Sequence, residues 1–266
     1  EVMSDLQGKS QKVIRLGTHG EDYGSWMSNP VFYMVGGLTA LAALLAVLSF
    51  AVFHIFVPGI LFVIIVAGLL ALLGWITWIR RQYAFDGVRI MERVHQTVLS
   101  HMDYDGKGTL LEVGCGAGAL SIRAALTWQE TKVVGIDYWA PVYNYSQALC
   151  EKNAVSEGAG DRCTFCRGDA NKLDFPDGSF DAVVSNYVYH NITGADKQQL
   201  LLETLRVLKK GGVFALNDEM KPGMYGDMEA FAQKLRDMGY EEVRLVDTAK
   251  EAVGSRSRVA MMMLCE

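Results

Sequence analysis

The stretch that decides the fold is Thr109-Leu-Leu-Glu-Val113, followed directly by Gly114-Cys-Gly-Ala-Gly118. A short, mostly apolar run that ends in glycines is typical of a buried strand of a parallel sheet. The glycines permit a tight turn and let a ligand approach the backbone closely. The helix expected from Ala119 would present free N–H groups at the same point. The sequence therefore predicts a strand, a ligand-binding loop and a helix in that order.

Strands and helices continue to alternate on both sides of this loop. Further strands are predicted at 132–137, 163–166, 180–185, 213–217, 242–246 and 258–264, and helices at 90–102, 119–128, 142–156 and 196–209. The pair Gly211-Gly212 is expected to stop the last of these helices. This alternation indicates an α/β fold with a doubly wound, mostly parallel, Rossmann-like sheet of seven strands.

A long apolar block precedes this domain, and residues 31–79 contain no Asp, Glu, Lys or Arg. Its two runs, 31–57 and 60–79, are each long enough to cross a ~30 Å hydrocarbon core as a helix. Pro58-Gly59 separates them and predicts the turn of a transmembrane helical hairpin. A signal peptide would have one shorter apolar core, and a buried hairpin of this length would normally include polar residues.

The flanking charges predict the orientation of the hairpin. Arg80 and Arg81 follow the second run, and Lys9, Lys12 and Arg15 precede the first. Positive-inside bias therefore places both termini and the folded domain in the cytoplasm of a multi-pass membrane protein. The expected organisation is a polar segment at 1–30, a hairpin at 31–80 and a catalytic domain at 81–266.

Charge and cysteine usage exclude other classes. The net charge is −5, whereas nucleic-acid binding needs clustered Lys and Arg, so no nucleic-acid partner is expected. The five cysteines are an odd number scattered through the domain, which suits free thiols in a reducing compartment. Cys163 and Cys166 have no second pair at zinc-ligand spacing, so the sequence predicts no metal site.

Two acidic residues flank the glycine loop. Asp137 ends the neighbouring strand, where its carboxylate could accept hydrogen bonds from two ribose hydroxyls. A dinucleotide fingerprint would need a third glycine where Ala119 stands. Glu112 disfavours a pyrophosphate and suits a cationic ligand that carries an ammonium group. These residues alone do not exclude a nucleotide-dependent dehydrogenase.

The segment Glu112-Val-Gly-Cys-Gly-Ala-Gly118 resembles the first motif of class I S-adenosylmethionine-dependent methyltransferases, Glu/Asp-x-Gly-x-Gly-x-Gly. The resemblance covers roughly residues 83–266 and extends in order through four further motifs. They are Asp137, Gly168-Asp-Ala170, Phe175-Pro-Asp-Gly-Ser-Phe-Asp181 with Ser185-Asn-Tyr187, and Leu205-Arg-Val-Leu-Lys-Lys-Gly-Gly212.

The resemblance implies S-adenosylmethionine as cofactor and S-adenosylhomocysteine as product. It places Asp137 on the ribose, Tyr138 against the adenine and Asp169 near the exocyclic amine. Asp169 could instead cap the turn before Leu173. The full set of cofactor-binding residues expected is Glu112, Gly114, Cys115, Gly116, Gly118, Asp137, Tyr138, Asp169, Ala170 and Asn186.

The acceptor side is expected beyond the fourth strand, with Tyr187, Tyr189 and His190 as catalytic candidates. His190 is the natural base near neutral pH. His190 and Tyr189 could also be packing residues that flank a helix. Because few residues join the hairpin to the domain, the expected partners are the lipid bilayer and a lipophilic acceptor. A soluble small-molecule acceptor, or a membrane protein that binds the cofactor without turnover, remains the alternative.

Overall fold

The computed structural model describes residues 14–19, 21–24, 29–85, 89–140 and 145–253. Its first elements are two long helices, α1 at Asn29–Ala51 and α2 at Phe56–Tyr83, which pack against each other. Both are long and apolar enough to cross a membrane, and most of their side chains are exposed.

The turn of this hairpin differs from the prediction. Residues 52–55 connect the helices, and Pro58-Gly59 lies inside the first turn of α2. Proline is tolerated there because the first N–H groups of a helix have no intrahelical acceptor. Gly59 instead permits close packing, since a Cβ at this position would lie 2.6 Å from Cζ of Phe50.

A parallel sheet follows, preceded by α3 at Ile90–Ser100. Its strands are β1 at Lys107–Val113, β2 at Glu130–Asp137, β3 at Cys163–Arg167, β4 at Phe180–Asn186 and β5 at Leu208–Asn217. The order is β3-β2-β1-β4-β5, and β1 pairs with β2 on one side and β4 on the other. The glycine loop, which follows β1, therefore leaves the sheet at its centre. The Rossmann-like parallel architecture is confirmed.

Helices cover the sheet on both sides. They are α4 at Ala119–Thr127, α5 at Gln147–Ser156, α6 at Lys197–Arg206, α7 at Pro222–Tyr225, α8 at Met228–Asp237 and α9 at Thr248–Val253. One core contains Leu110, Leu120 and Ile122, and the other contains Leu111, Leu200 and Phe231. Successive residues of β1 thus face opposite cores, as strand geometry requires.

Two secondary-structure predictions are wrong. Residues 242–246 pair with no strand among the described residues, so the described sheet has five strands and not seven; residues 258–264 lie outside the described part. Helix α6 already ends at Arg206, and Gly211-Gly212 lies within β5. Gly211 has φ +78°, and the register with β4 shifts between Phe180 and Ala182, so the glycines accommodate a strand irregularity.

Part of the polar N-terminal segment packs on the domain, as a strap made of residues 14–19 and 21–24. Leu16 is fully buried, and Nη1 of Arg123 donates to the carbonyl of Ile14 at 2.7 Å. The Asn153 amide accepts from N of Asp22 at 3.1 Å and donates to its carbonyl at 2.8 Å. The strap therefore lies against α4 and α5.

Candidate active site

A cavity of about 1000 Å³ lies at the carboxyl ends of the central strands. Its walls include the glycine loop with its neighbouring strand ends, the strap, α3 and the base of the hairpin. This is where ligands bind in doubly wound sheets.

The glycine loop is held by the neighbouring strand. The amides of Gly114 and Cys115 both donate to the Ile136 carbonyl, at 2.8 and 2.9 Å. Gly114, Gly116 and Gly118 have φ of +79°, +55° and +85°, a region that side chains rarely adopt. At Gly114 the requirement is also steric, because a Cβ would lie 2.1 Å from Val188 Cγ2.

Asp137 connects the loop to the segment after β2. Its Oδ2 accepts from the Gly116 amide at 2.8 Å, and its Oδ1 accepts from the Trp139 amide at 2.7 Å. Each carboxylate oxygen has capacity for a further donor, so a ribose could bind without displacing these contacts. Asp137 lines the cavity, as the predicted role requires.

Glu112 is buried at the end of β1 and also lines the cavity. Its Oε2 accepts from the Ser121 amide at 2.7 Å and from the Ser121 hydroxyl. Burial raises the pKa of Glu112 to about 8, and the Ser121 hydrogen bonds oppose this shift only in part. A cationic group at the cavity wall would favour the charged carboxylate.

The predicted adenine side is formed by Tyr138 and the segment Gly168–Asn171, all of which line the cavity. The Arg167 guanidinium lies 4.6 Å from the ring centroid of Tyr138. Asp169 Oδ1 accepts from the amide and the side chain of Asn171, at 2.8 and 2.7 Å. Asp169 thus stabilises its own turn, and this contact leaves its other oxygen for a ligand.

His190 lines the cavity and forms a hydrogen-bonded dyad with Asp218. His190 Nδ1 is hydrogen-bonded to Asp218 Oδ1, and the His190 amide donates to Oδ2 at 3.1 Å. Tyr225 donates its hydroxyl to the same carboxylate at 2.8 Å. Burial alone would raise the pKa of Asp218, but the interactions with His190 and Tyr225 outweigh it and hold the pKa below its ordinary value. An imidazole oriented by a buried carboxylate is the geometry of a general base.

The other two catalytic candidates, Tyr187 and Tyr189, lie in different environments. Tyr187 lines the cavity with φ +58°, and Asn186 beside it accepts from Asn217 at 2.7 Å. Tyr189 is fully buried, its hydroxyl bonds to Thr204, and it does not line the cavity. The prediction of Tyr189 as a catalytic residue is therefore corrected: it is a core residue, because the short 3₁₀ turn at Tyr189–Asn191 directs it toward α6.

Several cavity residues were not predicted from the sequence. Val31, Arg80 and Tyr83 reach the cavity from the base of the hairpin, and Tyr23 reaches it from the strap. The Tyr83 hydroxyl is buried and finds no hydrogen-bond partner among the described residues. His95 of α3 is likewise buried at the wall, and burial followed by the charge of Arg123 lowers its pKa to about 3. In the sequence, only the spacing of the apolar residues of α3 indicates that this face of the helix is buried.

Residues 111–216 match the family model described as a methyltransferase domain. The 27-O-demethylrifamycin SV methyltransferase of Amycolatopsis mediterranei is 31% identical over 137 residues, which are 52% of this chain and 48% of that protein. Sterol 24-C-methyltransferase erg6 of Aspergillus fumigatus is 29% identical over 143 residues, 53% of this chain and 36% of that protein. The chain thus spans half or less of the length of these relatives.

Among solved structures, the [4+2]-cyclase SpnF superposes with a TM-score of 0.50 and 25% identity, over 60% of this chain and 61% of that chain. The match extends the fold similarity beyond the motifs themselves. The predicted cofactor class is confirmed by these comparisons. Residues 111–216 form a methyltransferase domain of the S-adenosylmethionine-dependent type.

Proposed function

We propose that the whole chain is a membrane-anchored methyltransferase that transfers a methyl group from S-adenosylmethionine to a hydroxyl of a lipophilic acceptor. One observation carries the proposal. The base of the hairpin, through Val31, Arg80 and Tyr83, lines the same cavity as the glycine loop and His190. The anchor is thereby part of the candidate active site.

The residues around the glycine loop fit this cofactor. The positive-φ glycines form a cradle without side chains, Asp137 faces the position of a ribose, and Glu112 offers a carboxylate for an ammonium group. Tyr138 and Asp169 lie where the adenine is expected. When bound, the cofactor would supply an activated methyl group on a positive sulfur.

The His190–Asp218 dyad supports a hydroxyl acceptor. S-adenosylmethionine held here would supply the methyl group, and the electron pair of its methyl–sulfur bond would remain on sulfur. The acceptor hydroxyl would give its proton to Nε2 of His190, and the buried Asp218 would stabilise the resulting imidazolium. A positioned base of this kind contributes roughly 10²–10⁴-fold to a rate.

The hairpin supports a lipophilic acceptor. The apolar side chains of α1 and α2 are largely exposed, as lipid-facing side chains are. Arg80 and Arg81 at the end of α2 would lie at the cytoplasmic interface. Since Arg80 also lines the cavity, the opening would face the level of the lipid headgroups. One relative is named for a sterol, which is an acceptor of this class.

A second candidate is a protein that binds the cofactor without transferring its methyl group. The structural similarity to a [4+2]-cyclase favours keeping it, since the shared fold by itself does not specify methyl transfer. A soluble acceptor is the third. The three candidates differ in where a labelled methyl group is found.

The test uses the full chain in lipid nanodiscs, with methyl-tritiated S-adenosylmethionine and an extract of membrane lipids. The expected result is label in the organic phase, greatly reduced in a chain that lacks residues 1–79. Label confined to water-soluble products and unaffected by this deletion would refute the lipophilic acceptor. Binding of S-adenosylhomocysteine without label in either phase would refute methyl transfer.

A further inference from the structure

We propose that His19, Glu21 and Glu157 form a binding site for one divalent transition-metal ion, with zinc the best fit, which fastens the strap to α5. The site lies outside the residues assigned to the methyl-transfer reaction. Its existence does not depend on the proposed function, because it is built from contacts between the strap and the residue that follows α5.

The geometry brings three ligand atoms together. Nδ1 of His19 lies 3.6 Å from Oε1 of Glu21 and 3.6 Å from Oε2 of Glu157. All three atoms lie within 4.8 Å of one another. Bonds of about 2.1 Å to a tetrahedral zinc ion place neighbouring ligand atoms about 3.4 Å apart. The present spacing is thus close to what an ion needs and too long for direct hydrogen bonds.

In the described part of the chain, His19 is the only basic side chain within ion-pair distance of these two carboxylates. The side chains of Glu21 and Glu157 are 0% and 3% exposed, and no Lys or Arg pairs with either one in the described part of the chain. Oε1 of Glu21 is buried with no hydrogen-bond partner. Burying two adjacent carboxylates is unfavourable unless they are paired or bind a metal. Besides the clustering of the three ligand atoms, this buried oxygen without a hydrogen-bond partner also points to a cation.

The remaining contacts orient the ligand atoms. Oε1 of Glu157 accepts from the Gly17 amide at 2.7 Å and from the Tyr23 hydroxyl at 3.0 Å, so that Oε2 is left toward His19. Oε2 of Glu21 accepts from the His19 amide at 2.8 Å, which leaves Oε1. The Thr18 hydroxyl lies 3.3 Å from Nδ1 of His19 and would turn away when that nitrogen binds a metal.

The donor set favours zinc over magnesium or calcium. One imidazole and two carboxylates are ligands that zinc accepts, whereas magnesium and calcium prefer oxygen alone. His19 is 64% exposed, so the fourth position is open to water. The strap contributes Tyr23 and Gly24 to the cavity wall. An ion that holds the strap would therefore stabilise this wall and favour cofactor binding.

The test is calorimetry of zinc binding to the full, tag-free chain in detergent micelles after treatment with EDTA. We expect one zinc ion per chain at low micromolar affinity or better. At a hundredfold excess over Kd, the unfolding midpoint should rise by about 5 °C. Absence of saturable binding below 100 μM would overturn the proposal.

Variants separate the site from surface binding. His19→Ala and Glu21→Gln should each weaken zinc binding at least tenfold. His101→Ala is the matched control, since His101 also pairs with a glutamate, Glu251, but has one carboxylate only. Equal loss in His101→Ala would overturn the assignment. If zinc binds but leaves the affinity for S-adenosylhomocysteine unchanged, the metal site stands and its coupling to the cavity is refuted.

Discussion

Replacement of His190 by alanine is the sharpest test of the acceptor-side chemistry. The imidazole is 23% exposed at the cavity, and its removal leaves Asp218 with three donors: the backbone amides of residues 190 and 219 and the Tyr225 hydroxyl. The fold should therefore survive. Loss of a positioned base should lower the methylation rate by roughly 10²–10⁴-fold, about 3–5 kcal/mol in activation free energy.

The assay measures tritium transferred to the lipid phase per minute at saturating cofactor, with S-adenosylhomocysteine calorimetry in parallel. His190→Ala should keep its affinity for S-adenosylhomocysteine within about twofold, because no cofactor contact is assigned to it. His101→Ala controls for loss of a histidine that does not line the cavity. A His190→Ala rate within threefold of the unmodified chain would refute the role of the dyad as a base.

Three further predictions concern the cofactor loop and the anchor. Burial raises the pKa of Glu112 from 4.5 to about 8, so the contribution of Glu112 to stability is present below pH 4.5 and is lost as pH rises through 8. Chemical denaturation should show this decline in the free energy of unfolding, and Glu112→Gln should make the pH dependence flatter. Gly114→Ala should abolish cofactor binding because of the overlap with Val188, whereas Gly158→Ala, at φ +76° with nothing within 4 Å, should cost only about 1–2 kcal/mol in thermal unfolding and bind normally. His54→Cys, in the turn of the hairpin, should react with an impermeant maleimide only from outside the cell; labelling from the cytoplasmic face alone would refute the proposed topology.

The sequence by itself determined the local elements. The strand Lys107–Val113, the glycine loop and α4 follow one another, so apolar runs and glycines in one short segment were sufficient to predict them. The position of Asp137 at the end of the neighbouring strand was predicted for the same reason. The two long apolar runs likewise specified two helices, because their signal is length and composition.

The exact ends of elements were less predictable. Pro58-Gly59 is a strong turn signal, yet both residues lie within the first turn of α2, where a proline costs little helix stability. A strand is predicted at 242–246, but a strand needs a neighbour for its hydrogen bonds, and no described strand provides one. A local pattern does not say which neighbours are available.

Only the tertiary structure decided which distant residues complete the site. His190 meets Asp218 across 28 positions, and Arg80 donates to Asn29 across 51 positions at 2.8 Å, which joins the two ends of the hairpin beside the cavity. The strap meets α5 across more than 130 positions through Asn153. Such contacts leave no periodic trace in the chain. The sequence therefore determined the glycine loop and the strands around it, and the packing of hairpin and strap against that loop decided the shape of the cavity.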